Sequence, residues 1–309
     1  MATLCDGQYF EDQIINILCN NGIFTGNTKI NDLETIYKWL RGNYNNNHLP
    51  YKTYSYPLNP NSLDIDSSIF IDNLFSTNPI IGHDLPIWLT PDNEEEEEEE
   101  KEINLNNYKR VMFISQDPRR SIFEIKNSGT PRSTNQDTII FSSPFGVHSQ
   151  DYSSYDKQGL FARVAKKLSN SKKDGKGIMV YMTDLYKFRA ANNNKNDNLD
   201  KPNTIRYHNV LGKEINAFEP DLIVLISSTI AENWLNIQND WLTPTSLTQR
   251  NGKKYKVMPV YHTAIRGDMA SLLNKTTLLN KTLRLSLTVP TKWCQVEYLY
   301  YKTIYKEIP

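Results

Sequence analysis

Two short segments hold the residue types that chemistry on a bound molecule would need. In the first, four apolar residues, Val111 to Ile114, run straight into Ser115-Gln116-Asp117-Pro118. Such a run reads as a buried parallel strand, and it stops at a carboxylate. In the second, the run Tyr255 to Val260 ends in Tyr261-His262-Thr263-Ala264-Ile265-Arg266-Gly267. Carboxylates and imidazoles are the usual groups for moving protons and stabilising charge. Ligands of open α/β sheets bind at the carboxyl ends of strands. Two such loops therefore predict one site assembled from distant pieces of chain.

The elements that must carry these loops are visible from Tyr108 onward. Strand-like runs cover 110–115, 177–183, 221–227 and 255–261. Helix-like segments lie between and after them, at 158–168, 204–218, 229–237 and from Asp268. This alternation predicts an α/β fold with a parallel sheet and helices on both faces. The polar stretch 192–200 reads as a loop, and the aromatic stretch 293–305 fits an added strand or helix equally well. Before Tyr108 the pattern is weaker. Tyr9 to Cys19 and Asp32 to Leu40 show helical spacing, and the Asn-, Pro-, Ser- and Tyr-rich chain up to Trp88 reads as loops wrapped on the main domain. Glu94 to Glu100 is an unbroken acidic run, expected to be a solvated linker. A sharper alternative is that it competes with nucleic acid for a basic face. The expected organisation is a partly helical extension over 1–93, an acidic linker over 94–107 and an α/β domain over 108–309.

A formal charge of zero conceals an asymmetry. Residues 1–107 carry 18 acidic and 5 basic residues, a net of −13; residues 108–309 carry 17 acidic and 30 basic ones, a net of +13. The part holding both loops is the basic part, as a phosphate-rich partner requires, although lysines also simply solubilise surfaces. With 39% hydrophobic residues the chain can bury a core. No run of about 18 apolar residues occurs, so no membrane span is expected, and no secretory leader is evident. Cys5, Cys19 and Cys294 are too few and too scattered for a disulfide framework, a zinc site or an iron–sulfur cluster. An intracellular, monomeric protein without metal or cofactor is the expectation, cytoplasmic in a prokaryote and open to the nucleus in a eukaryote. There is no glycine-rich phosphate loop, which argues against a nucleotide-binding doubly wound domain.

Four features fall in order at strand ends: Gln116-Asp117-Pro118, Ser143-Pro144-Phe145-Gly146-Val147, Thr183-Asp184-Leu185-Tyr186-Lys187 and His262-Thr263-Ala264-Ile265-Arg266. In this order and spacing the chain resembles the uracil-DNA glycosylase superfamily over roughly residues 108–275. Any one motif alone would be weak, since Asp-Pro is common in turns and a lone histidine most often packs or sits on a surface. The resemblance implies a three-layer fold, with a central four-stranded parallel sheet flanked by helices, and a monofunctional hydrolase acting on DNA. Such enzymes flip a nucleotide out of the duplex, at a cost of a few kcal/mol, and hydrolyse its N-glycosidic bond.

Carried over position by position, Asp117 would orient the attacking water and stabilise the oxocarbenium-like sugar. His262 would donate a hydrogen bond to the base O2 as negative charge gathers there. Gln116 would contact the base. Phe145 would stack on it, with Phe141, at the end of the run 138–141, as the alternative. Ile265 and Arg266 fall where the family wedges the base stack, and Arg120 and Lys187 are expected to contact DNA. Two departures bear on the base. Uracil-specific members read the base with asparagine where this chain has Asp184, and an ionised carboxylate only accepts hydrogen bonds. It repels the uracil O4 and suits an exocyclic amine such as cytosine N4. Many uracil enzymes also place a bulky tyrosine two residues beyond the catalytic aspartate; here Arg119 leaves room for a C5 substituent. The expected base is a C5-modified cytosine, as in some viral DNA, and the expected role is antiviral defence. The alternatives are a uracil or mismatch repair glycosylase, with Asp184 as a structural cap, and an inactive DNA-binding module of the same fold.

Overall fold

The computed structural model describes residues 2–21, 28–45, 56–58, 80–91, 103–116, 139–147, 159–187, 189–190, 201–226, 242–248, 252–260 and 292–309. Among them are twelve strands: β1 (Thr3–Leu4), β2 (Tyr56–Leu58), β3 (Ile80–Asp84), β4 (Ile87–Thr90), β5 (Tyr108–Ser115), β6 (Ile139–Ser142), β7 (Lys172–Lys173), β8 (Lys176–Asp184), β9 (Arg189–Ala190), β10 (Leu222–Ile226), β11 (Thr245–Thr248) and β12 (Lys254–Val260). The helices are α1 (Gln8–Asn20), α2 (Thr28–Asn45), α3 (Leu160–Ser169), α4 (Lys201–Phe218) and α5 (Lys292–Glu307). The undecided C-terminal stretch is therefore a helix. The helix-like segments at 229–237 and from Asp268, and the glutamate run, lie outside the described residues.

Instead of the expected sheet of four parallel strands, the main sheet has eight and is mixed, in the order β1-β4-β8-β5-β10-β12-β11, with β7 on the start of β8. At its centre β8, β5, β10 and β12 run parallel to one another. The antiparallel additions β4 and β11 are only four residues each, too short for alternation to announce them, and β4 follows a Pro- and Asn-rich stretch. The central runs were legible because every residue of Val111–Ser115 and Leu222–Ile226 is buried, which demands cover on both faces. At the edge, β11 alternates half-buried with exposed residues. A second, four-stranded sheet, β2-β6-β3-β9, takes β2 and β3 from the stretch before Trp88 that reads as loop and β6 from the apolar run 138–141.

The N-terminal section shares the core of the rest. Phe10, Ile14, Ile15 and Leu18 form one buried stripe on α1. Phe10 meets Trp88 edge-on at 4.9 Å and Tyr181 at 6.1 Å, and Tyr181 meets Phe218 at 5.1 Å. The indole N–H of Trp88 donates to the Asp6 carbonyl at 2.6 Å, and the Tyr37 hydroxyl to the Pro86 carbonyl at 2.7 Å. Gly7 starts α1 at φ +90°, and a Cβ there would lie 2.6 Å from Ile103, so both backbone and space require glycine.

On the other helical group, α3 packs against β8, β4 and α5. Its Lys166 is half-buried, with the ammonium 5.0 Å from the Tyr44 ring, and burial pushes it down to about 8. Between pH 8 and the ordinary lysine range the unfolded chain therefore holds a proton that the folded chain has lost. Stability supplied at this position rises with pH across that window. Denaturation of the wild type and Lys166→Met should give a stability difference that moves in favour of the wild type from pH 8 to pH 10; a flat difference would remove this assignment.

Candidate nucleobase site at the strand ends

The parallel strands end level with one another. Ser115 is paired with Asp184, Leu225 with Ile114, and Ile226 with Val260. Beyond the last pair the ladder between β5 and β8 continues into the loop, where Leu185 N–H donates to the Ser115 carbonyl at 2.8 Å and Tyr186 N–H to the Gln116 carbonyl at 2.9 Å. These bonds fix Gln116 and Asp184 as neighbours on adjacent strand ends. Asp184 is 1% exposed, so its carboxyl group is held away from bulk water at this strand end.

Gln116 and Val260 are the last described residues before Asp117 and His262, and they leave the same edge of the sheet. Only β10 separates β5 from β12, so the two exits lie about 10 Å apart, two interstrand spacings. Asp117, Arg119, Arg120, His262, Ile265 and Arg266 themselves lie outside the described residues.

Phe145 sits in the short turn Pro144–Gly146 that follows β6 and packs on β8 and α3. Its backbone is left-handed (φ 55°, ψ 15°), a conformation costing a bulky residue about 1–3 kcal/mol, so the surroundings must hold it there. The ring is half-buried and tilts against Phe161 at 5.0 Å, while Phe161 stacks on Tyr300 at 5.7 Å. An aromatic ring braced from behind and still partly exposed suits stacking on a planar ligand. Its alternative, Phe141, is a strand residue of β6, in register with Tyr56 and His83.

Lys187 is where the sequence reading needs correction. Expected at the DNA surface, it is fully buried. Its ammonium donates to Glu214 Oε2 and to Thr183 Oγ1, both at 2.6 Å. The Tyr181 and Thr183 hydroxyls donate to Glu214 Oε1 at 3.2 Å and 3.1 Å. This network ties the loop leaving β8 to α4 behind Asp184. Glu214 escaped the sequence reading, yet a signal existed: it lies among Val210, Leu211, Ile215 and Phe218, the buried positions of α4. A glutamate on such a face needs a cation.

A surface cleft of about 670 Å³ lies elsewhere, between α1 and α4, and its walls include Tyr9, Asp12, Asn16 and Lys213. It contains none of the residues expected to act on a base. Among the described residues no helix is long and apolar enough to cross a membrane. Compared with known families and curated proteins, the chain matches no family model and no curated relative.

Proposed function

We propose that the protein is a DNA glycosylase of the uracil-DNA glycosylase type, acting on a C5-substituted cytosine. The observation that carries the reading is the buried carboxylate of Asp184, paired with Ser115 at a strand edge from which the chain leaves toward Asp117 and His262. A base flipped against that edge would offer its exocyclic amine to Asp184 and its ring face to Phe145, with Gln116 alongside. Asp117 then directs water to the sugar C1′ and opposes the positive charge that develops there. As the N-glycosidic bond breaks, its electron pair goes to the base. His262 steadies that charge by a hydrogen bond to O2. The water oxygen bonds to C1′ of an abasic site, and the proton it sheds passes by way of the Asp117 carboxylate and solvent to the departing base. Arg119 faces the C5 substituent; Arg120, Ile265 and Arg266 engage the opened duplex. No metal or cofactor has a part in these steps, and DNA is the partner.

The test is direct. Duplexes bearing uracil, cytosine or a hydroxymethylated or glucosylated cytosine are incubated with the wild type and with Asp117→Ala, then treated with alkali. Strand breaks are expected at the modified cytosine with the wild type. The variant should be slower by a factor on the order of 10³, as expected when a transition-state charge loses its partner. Breaks at uracil alone would reject the assigned base, and no breaks on any duplex would reject the glycosylase.

A further inference from the structure

Arg163 holds Glu297, Lys187 holds Glu214, and Lys256 holds Glu307. Several other described lysines form no such pair, and six of them belong to neighbouring elements. Lys167 at the end of α3, Lys172 and Lys173 on β7, Lys176 at the start of β8, and Lys302 and Lys306 on α5 form no ion pair among the described residues. Lys167, Lys172, Lys173 and Lys302 lie against one tyrosine stripe on α5; Lys306 is on the same helix, and Lys176 is paired with Lys173 where β7 meets β8. Lys167 lies 5.8 Å from the Tyr298 ring and 4.9 Å from that of Tyr301; Lys302 lies 5.6 Å and 5.9 Å from the same two rings. Lys173 lies 5.1 Å from the Tyr305 ring, whose hydroxyl donates to the Lys172 carbonyl at 2.6 Å. Two ammonium groups over the same rings repel each other, and neither forms an ion pair among the described residues.

We propose that this face is a docking surface for the phosphate backbone of nucleic acid, independent of base sequence. Clustered cations freed of acidic partners can each neutralise a phosphate and release a counterion. The stripe is firmly based, because the Tyr301 hydroxyl hydrogen-bonds with Ser171 Oγ and the Tyr305 hydroxyl with the Lys172 carbonyl. An anionic membrane is disfavoured: the exposed large hydrophobic residue among those described is Tyr9 on α1, so the described residues of this face offer no exposed apolar side chain to insert. The location is new relative to the strand-end site. Lys176 opens β8 and Asp184 closes it, which separates the two by about 25 Å along the strand. The proposal thus goes beyond the glycosylase reading and does not depend on it.

The experiment uses the full chain and a labelled 24-base-pair duplex of ordinary bases, so that absence of base release leaves it standing. Anisotropy titrations between 50 and 200 mM salt compare the wild type with Lys172→Glu/Lys302→Glu and with Lys38→Glu/Lys213→Glu, an equal charge change on exposed lysines of α2 and α4. The first pair should weaken binding about tenfold at the lower salt and lessen the slope of log K against log salt by about two. The control pair should stay within twofold of the wild type. Unchanged affinity in the first pair, or an equal loss in the control, overturns the proposal. So does binding to phosphatidylserine vesicles, lost in the first pair, without binding to DNA. Thermal melts verify folding, and Lys172→Gln/Lys302→Gln replaces the first pair if it misfolds.

Discussion

Asp184→Asn should turn the proposed enzyme from an amine-bearing pyrimidine toward uracil. The substitution is isosteric, and the β8 backbone it stands on is held by its pairing with β5 and by the two loop bonds beyond it. The fold should therefore survive. What changes is the hydrogen-bonding repertoire at a buried position. A carboxylate offers only acceptors, matching the cytosine N4 amine and repelling the uracil O4. An amide offers a donor as well, and so accommodates the uracil O4 and N3–H together. Each well-made base contact is worth about 1–3 kcal/mol of discrimination. Losing one match while gaining another should shift the ratio of kcat/KM for uracil over modified cytosine by roughly 100-fold or more. Single-turnover base release on paired oligonucleotides reads this ratio. An unmoved ratio, with overall activity retained, would mean that Asp184 does not read the base.

Much of the frame around this residue was legible because its physical signal is local. The four parallel strands are continuous apolar runs, since both their faces are covered, and their ends follow from where the runs stop. α1, α3 and α4 announce themselves by a buried stripe at helical spacing. What stayed hidden is non-local. β3 and β6 lie side by side only because a second sheet forms; read alone they are short runs in polar chain. β4 earns its place through pairing with β8, where Trp88 stands opposite Tyr181. The error at Lys187 has the same origin. A lysine three residues beyond a strand looks like a surface cation until Glu214, on a helix elsewhere in the chain, is placed against it.

That pair supports the second large prediction, which concerns stability. Both Lys187 and Glu214 are fully buried, so their attraction is set against a heavy loss of hydration. The pair is tolerated because its hydrogen bonds are well met: the ammonium reaches Glu214 and Thr183, and the carboxylate accepts from Tyr181 and Thr183 as well. Removing one partner is worse than removing both charges. Lys187→Met leaves a carboxylate in the core without its cation, at a cost of about 3–5 kcal/mol. Adding Glu214→Gln to that variant removes the stranded charge while keeping a carbonyl acceptor for the two hydroxyls. Chemical denaturation at neutral pH should therefore find the double variant more stable than Lys187→Met alone. A Lys187→Met cost below about 1 kcal/mol, the range of an exposed pair, would show that the two charges are hydrated and not buried. The expected cost has a consequence at the sheet edge. Lys187 anchors the loop whose amides bind the Ser115 and Gln116 carbonyls. Loosening it should blur the position of Asp184, and base discrimination should fall in Lys187→Met even at temperatures where the chain remains folded.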